Sequence, residues 1–286
     1  MEPDTKKHVH AFSNGGQGES LPLQGLGRRP KKRSIEMVNV IIHGCGGKMG
    51  RVVAELVKNE ADCQVVAGID PGMPALDFPV FPSCDACDVA ADVIIDFSTA
   101  KAVPALLAFS KAKSIPVVLC TTALSDETTA LMKETSKDVA ILKSANMSVG
   151  VNLLLDLVQR AAVILAESGF DIEIVEKHHN QKIDAPSGTA MALADAINQA
   201  MDERYHYVYD RSQVREKREK TEIGIHAVRG GSIVGEHDVI FAGRDEVIEL
   251  NHRATSREVF AVGAVKAAKF LAGKPAGLYS MKDALQ

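Results

Sequence analysis

Between Val38 and Asn146, short β-branched apolar runs alternate with stretches of helical spacing, and the first run breaks into four glycines: VNVIIHGCGGKMGR. An apolar run of four to eight residues bounded by turn residues reads as a strand buried on both faces. VNVII (38–42), CQVVAGID (63–70), DVIIDFS (92–98), PVVLCTT (116–122) and VAILKSAN (139–146) are five such runs. RVVAELVKNE, AVPALLAFSKAK and SDETTALMKETSK lie between them with helical spacing, the last opening on Ser125 as N-cap with Thr128 in the capping-box position. Strand and helix alternating in this way specify a Rossmann-like, doubly wound parallel sheet of the α/β class.

The grammar changes after Asn146. SVGVNLLLDLVQRAAVILAESG reads as a long helix, DIEIVEKHH as a strand, and SGTAMALADAINQAMDER as a helix. Residues 203–222 are highly charged and are expected as a mobile excursion. IGIHAVRG, SIVGEHDVIFAG and DEVIELNHRATS then read as long strands joined by short turns, an antiparallel group. REVFAVGAVKAAKFLAG is a helix and LYSMKDAL a short last element. The expected organisation is α/β followed by α+β: a first domain over 37–148 and a second over 149–256 with a mixed or antiparallel sheet. Residues 1–36 (GGQGES, LPLQGLG, RRPKKR) are polar and aperiodic. They are expected as a disordered leader or appended extension, without the apolar core of a secretory signal.

Composition excludes some functions. The chain of 286 residues has a formal charge of -4, no Trp and 5% aromatics. That leaves no basic excess and few rings for stacking nucleic-acid bases. No apolar run reaches the ~20 residues of a membrane span. Cys45, Cys63, Cys84, Cys87 and Cys120 are odd in number and scattered, as in a reducing compartment, so a cytoplasmic location is expected. Cys84 and Cys87 make one CxxC. It reads as two loop thiols or, with a second ligand pair that the spacing does not supply, as half a metal site.

Gly44, Gly46, Gly47 and Gly50 stand between strand and helix, where glycines let backbone approach a pyrophosphate and the helix N-terminus offers unpaired N–H groups. Met49 occupies the third position of the usual glycine pattern, and a tight structural turn would use similar residues. Asp70 closes the second strand, twenty residues past Gly50, where a carboxylate meets the adenine ribose hydroxyls. Positions 71–79 hold no Arg or Lys for a 2′-phosphate, so the cofactor leans to NADH over NADPH, with Lys48 near enough to soften the choice. CTT (120–122) and SAN (144–146) sit at the carboxyl ends of later strands, where ligands of such sheets lie.

DIEIVEKHHNQKIDAPSGTA (171–190) carries the candidate chemistry. On one straight strand His178 and His179 would face opposite sides. They share a ligand if the strand ends near Lys177 and the chain turns, as Asp184 and Pro186 allow. Ser187 reads as an N-cap, leaving the N–H groups of Gly188 and Thr189 open to a carboxylate. Two imidazoles, the Lys182 ammonium and a helix start suit an anionic substrate that needs a proton; an imidazole titrates near neutrality. A capped helix beside surface histidines would show the same residues. A metal site would need a carboxylate ligand that the cluster lacks.

EKHHNQKIDAPSGTA resembles the signature of the dihydrodipicolinate reductase (4-hydroxy-tetrahydrodipicolinate reductase) family, and the resemblance extends from about Val38 to about Leu285 through GCGGKMGR, DFST, SANMSVGVN, RGGSIVGEH and FAVGAVKAA. It implies NAD(P)H-dependent reduction of a cyclic dicarboxylate in diaminopimelate and lysine biosynthesis, by a homotetramer whose dinucleotide-binding domain, 37–148, is completed by 257–286 and whose domain 149–256 serves substrate binding and oligomerisation; from the residues, no metal is expected. It further implies His178 as acid/base and Lys182 as proton donor, with His179, Ser187, Gly188 and Thr189 on the substrate. Gly44, Cys45, Gly46, Gly47, Lys48, Met49, Asp70, Cys120, Thr121, Thr122, Ser144, Ala145, Asn146 and Met147 would line the cofactor. Cys120 and Ala123 depart from the family, which commonly has Gly at both places. A dehydrogenase for another small anion and a non-enzymatic dinucleotide sensor remain the rival readings, the second having no use for His178 and Lys182 together.

Overall fold

The computed structural model describes residues 37–212 and 214–286; the expectations for residues 1–36 lie outside them. The elements run β1 (Val38–His43), α1 (Lys48–Lys58), β2 (Cys63–Ile69), β3 (Val80–Phe81), β4 (Val93–Asp96), α2 (Val103–Lys113), β5 (Val117–Leu119), α3 (Asp126–Thr135), β6 (Ala140–Leu142) and α4 (Val149–Leu165). After these come β7 (Asp171–His178), α5 (Gly188–Ala200), β8 (His206–Val208), β9 (Glu222–Arg229), β10 (Gly235–Ala242), β11 (Val247–Ala254), α6 (Glu258–Leu271), β12 (Gly277–Tyr279) and α7 (Met281–Leu285).

The first sheet has seven parallel strands in the order β12-β6-β5-β4-β1-β2-β3. Alternation along β1 decides its layers. Val40 and Ile42 pack with Val53 and Val57 of α1 and with Ala261, Ala264 and Ala268 of α6 on one face. Ile41 packs with Leu106 and Leu107 of α2 and Met132 of α3 on the other. Each of the larger side chains here, Val, Ile, Leu and Met, contributes about 1.5–3 kcal/mol once buried, which is why both faces need helices. The strand order reverses direction at β1 and β4, so the glycine turn after β1 opens into the crevice where ligands of such sheets bind. Ser125 caps α3 as expected, its hydroxyl accepting the Thr128 N–H at 3.2 Å.

The second sheet runs β11-β10-β7-β9-β8, with α4 and α5 packed on one face through Leu154, Val158, Leu193 and Ile197. Its pairing corrects the expected antiparallel group. β9 lies parallel to β7, and β7 separates it from β10. Only β7-β10-β11 is antiparallel. The link between β9 and β10 therefore crosses over the end of β7 and is not a hairpin, which carries Gly230 and Gly231 past His178. Part of the segment 203–222, expected as a mobile excursion, is built onto the sheet. It supplies β8, and Arg218 binds Asp171 at 3.0 Å, Glu173 at 2.9 Å and the Ile172 carbonyl at 2.9 Å. These bonds tie Arg218 to the start of β7, while most other charges of the segment face solvent.

Cys84 and Cys87 are buried at 5% and 2% exposure in the core under α2, so they are core thiols and not loop thiols. Burial raises the pKa of both, that of Cys84 to about 11, and keeps them protonated. Among the described residues no helix is long and apolar enough to cross a membrane, and no cluster of three or more His, Cys, Asp or Glu side chains could hold a metal ion.

Candidate active site

A cleft of about 920 Å³ lies between the carboxyl ends of the first sheet and the β7–α5 connection. His178, His179, Lys182, Ser187, Gly188 and Thr189 line it from one side. Met49, Cys120, Thr121, Thr122, Ser144, Ala145, Asn146 and Met147 line it from the other. Gly44, Cys45, Gly46, Gly47, Lys48 and Asp70 are not in its wall. Lys48 faces an adjoining cavity of about 580 Å³, and Met49, His179, Val234 and Arg257 border both spaces.

The substrate-side loop is built from local rules. β7 runs one residue further than the turn argument required, to His178, and the chain then turns, closed by the Lys182 N–H on the His179 carbonyl at 3.1 Å. The turn brings both imidazoles to the cleft despite their alternation. Ser187 caps α5, its hydroxyl oxygen accepting the Ala190 N–H at 3.1 Å and standing 3.0 Å from His237 Nε2. That hydroxyl is buried and doubly engaged, so Ser187 shapes the wall from beneath. Gly188 is exposed, with nothing within 4 Å of where a Cβ would lie, which leaves room at the helix start for a ligand.

His178 is buried at 8% exposure, with Nδ1 2.6 Å from Glu176 Oε2. Period-2 alternation puts Glu176 and His178 on the same strand face, a signal present in EKH that the sequence reading left unused. Glu176 has no exposure, and Arg229 grips it with bonds of 2.7 and 2.6 Å. Burial pushes the Glu176 carboxyl up, but the His178, Arg229 and Ser187 hydrogen bonds outweigh it and bring it to about 2. Lys182 pairs with Asp184 at 2.8 Å. Desolvation pushes the Asp184 carboxyl up, and the Lys182 bond and charge more than offset it, so it stays below the usual range.

Other residues of the site escaped the sequence reading because only the fold assembles them. His237 of β10 stacks edge-on to His178 at 5.2 Å between ring centres. Burial first, and then the His178 charge, pushes its imidazole down to about 4. His252 stands opposite it on β11, and burial lowers its titration too. Arg257 reaches His179 Nε2 at 3.3 Å. Asn146 donates to Thr189 Oγ1 at 2.9 Å, tying the loop after β6 to the first turn of α5.

The dinucleotide side fits its expected ligand. Gly44 has φ +80°, and a Cβ at Gly50 would overlap the Gly44 carbonyl, so both positions require glycine. The first turn of α1 receives no side-chain cap, which leaves its N–H groups for a phosphate. Asp70 is held against the turn, accepting the Gly46 N–H and the Gly72 N–H at 2.9 Å each. Cys45 turns its thiol into the core, where burial raises it to about 11. Arg51, a cation missed in the sequence, donates to the Gly46 carbonyl at 3.1 Å. Lys143 donates to the Thr121 carbonyl at 2.6 Å and so holds the loop after β5. The two departures also have a physical form. Ala123 sits at φ +55°, a left-handed conformation that glycine adopts freely. Burial keeps Cys120 as a thiol.

The chain is similar to known proteins along most of its length. Residues 38–147 match the family described as dihydrodipicolinate reductase, N-terminus, and residues 150–285 match dihydrodipicolinate reductase, C-terminus. The 4-hydroxy-tetrahydrodipicolinate reductase of Caldanaerobacter subterraneus subsp. tengcongensis is 56% identical over 247 residues, 86% of this chain and 98% of that one. That of Clostridium tetani is 51% identical, covering 86% and 96%. Among solved structures, the dipicolinate-bound dihydrodipicolinate reductase from Paenisporosarcina sp. TG-14 superposes with a TM-score of 0.72 at 24% identity, covering 87% of this chain and 100% of that one. The myo-inositol dehydrogenase from Lactobacillus casei in complex with NAD(H) and myo-inositol shares the fold at a TM-score of 0.55 and 16% identity, covering 87% and 91%.

Proposed function

The chain belongs to the dihydrodipicolinate reductase family, and we infer from this that it reduces 4-hydroxy-tetrahydrodipicolinate to tetrahydrodipicolinate with a nicotinamide dinucleotide, in diaminopimelate and lysine biosynthesis. One observation carries the assignment to a place in the molecule: His178, His179, Lys182 and the α5 N-terminus meet the loops after β5 and β6 in one cleft. Residues 37–148 with 257–286 form the dinucleotide domain in this reading, and 149–256 the substrate domain.

The substrate is a ring with two carboxylates. Gly188 and Thr189 offer N–H groups to one of them, with His179 and Arg257 as neighbouring donors. Loss of water from the substrate leaves a conjugated, electron-poor ring, and the bound nicotinamide supplies the hydride. Lys182 leaves Asp184 to give the proton that completes reduction, and His178 exchanges a proton at Nε2 as acid and base. Gly44, Gly46, Gly47 and the first turn of α1 cradle the pyrophosphate, and Asp70 takes the adenine ribose. The absence of a cation over 71–79 supports NADH as the better cofactor. A cytoplasmic enzyme fits the buried, reduced thiols. A homotetramer fits the open face of the second sheet, which carries Val175, Val228, Ile240 and Val247 dispersed among charged residues, Val228 at 45% and Val247 at 55% exposure.

The test is NADH oxidation with 4-hydroxy-tetrahydrodipicolinate against a panel of other small anions, with pyridine-2,6-dicarboxylate as a planar inhibitor. Substrate-dependent oxidation that the inhibitor competes away is expected. Turnover of another anion at equal efficiency, without inhibition, would move the assignment to a different dehydrogenase.

A further inference from the structure

We propose that Arg229 is a positioning residue for the reduction: by clamping the buried Glu176 carboxylate it fixes the proton of neutral His178 on Nδ1 and leaves Nε2 bare toward the cleft. This rests on His178 as the acid/base of the reading above and adds how that imidazole is set.

Glu176 is saturated. A carboxylate offers about four acceptor positions. Here Oε1 takes the Ser187 N–H at 2.9 Å and Arg229 Nη2 at 2.6 Å, and Oε2 takes Arg229 Nη1 at 2.7 Å and His178 Nδ1 at 2.6 Å. An ionised carboxylate only accepts, so Nδ1 must bring the proton to that contact. The lone pair of neutral His178 is then on Nε2. Gly235 keeps that nitrogen open, since a Cβ there would lie 3.0 Å from Nε2. A bare Nε2 that gains a proton becomes a donor at the same atom, so one nitrogen serves both directions of transfer.

The clamp is needed because, among the described residues, Arg229 is the one permanent cation paired with Glu176. On β10 the register partner of Glu176 is His237, held neutral by burial. On β9 its partner is Ala227, two residues before Arg229. The loop before α5 brings Lys182 paired with Asp184, and the first turn of α5 has no acidic or basic side chain beyond the helix N-terminus. Arg229 also donates to the carbonyls of Asp184 and Val228 at 2.7 Å each, so its fork is fixed from three sides. Without it Glu176 would keep one donor per oxygen at zero exposure. Such a carboxyl takes up a proton far more readily. Its new O–H would then donate to Nδ1, and the imidazole proton would shift to Nε2.

The measurement is ¹⁵N NMR of histidine-labelled enzyme without ligands, with the His178 signals assigned by their loss in His178→Asn. Wild type is expected to show the Nδ1–H tautomer. Arg229→Gln is expected to gain an acidic limb in kcat/KM beyond any that wild type shows, to show Nε2–H at a pH below that limb, and to lose about 10²-fold in kcat there, with NADH affinity unchanged. Arg229→Lys keeps the charge without the fork; it should retain Nδ1–H, recover about tenfold of the loss and show no new limb. An Nε2–H tautomer in wild type overturns the proposal. So does an Arg229→Gln enzyme with the wild-type tautomer and pH profile. If Arg229→Gln does not fold, the wild-type tautomer and the Lys variant decide. Wild-type enzyme with the Nδ1–H tautomer and no turnover of this substrate would instead sink the functional reading and leave the positioning role standing.

Discussion

Lys182 and His237 occupy one cleft and differ in what their charge is for. Lys182 is a quarter-exposed ammonium that a single weakly held carboxylate restrains, Asp184 at 2.8 Å. It can leave that partner for a substrate at small cost, since partly exposed pairs contribute about 0–1 kcal/mol. Lys182→Ala is therefore expected to lose about 10²-fold or more in turnover, with NADH affinity and melting temperature unchanged in fluorescence titration and calorimetry. Near-normal turnover would remove Lys182 from the mechanism. His237 is the opposite case, an imidazole that the folded chain keeps neutral. Its folded value is about 4, and an unfolded histidine titrates near ~6.5. Between these the unfolded chain binds a proton that the folded chain refuses, so stability falls as pH drops from 6.5 toward 4, by about 3 kcal/mol at most. Glu176 runs with the usual carboxylate sign: its contribution is present above about 4.3 in pH and is lost as pH falls through its folded value of about 2. His237→Gln should thus flatten melting temperature between pH 6.5 and 4 and leave the loss below 4. A variant melting curve as steep as wild type across that window would place the acid sensitivity elsewhere.

At the scale of elements, α6 is the connection that a linear reading understates. It follows the second sheet in sequence but packs on the first, under α1 and against the loop after β6. Gly263 makes the approach possible, because a Cβ there would overlap the Met147 carbonyl oxygen. The loop it supports, Ser144 to Met147, lines the cleft and reaches α5 through Asn146. Gly263→Ala must push α6 or the loop outward. Overpacking of this kind costs about 1–3 kcal/mol, which for a chain of this size is a fall of about 2–10 °C in melting temperature. NADH affinity should fall with it, read by fluorescence titration. Destabilisation without loss of cofactor affinity would show that the loop holds its shape without the helix.

For the whole molecule, the question the fold poses is which dinucleotide it selects. Asp70 stands against the glycine turn with both oxygens engaged, and its charge would meet a 2′-phosphate at close range. Lys48 is exposed at the start of α1, and Arg51 is tethered to the Gly46 carbonyl on the same turn. These cations soften the repulsion but do not bracket a phosphate from the β2 side. The expected outcome is a modestly higher kcat/KM with NADH than with NADPH at low salt. The gap should narrow at ~0.1 M salt and above, where screening acts over about 10 Å. Arg51→Ala should widen it. A wild-type preference for NADPH at low salt that Arg51→Ala abolishes would mean that Arg51 outweighs Asp70.

The sequence by itself determined the five inner strands of the first sheet, because burial on both faces demands uninterrupted apolar runs and a glycine turn leaves its own spelling; the short edge strands β3 and β12 carry no such run and were not legible. It also determined the cleft-facing set His178, His179, Lys182 and the capped start of α5, since turn residues and N-caps act over a few positions. It could not order the second sheet. β7, β9 and β10 are all good strands, and their propensities are blind to which neighbour each will pair with; in the fold β7 lies between β9 and β10, with α4 and α5 on one face. The partners that set the chemistry were decided in the same way. Arg229 stands 53 residues from Glu176, His237 50 residues from Ser187, and Asn146 43 residues from Thr189. A hydrogen bond needs about 3 Å and a direction, and across such separations only the packed backbone supplies both.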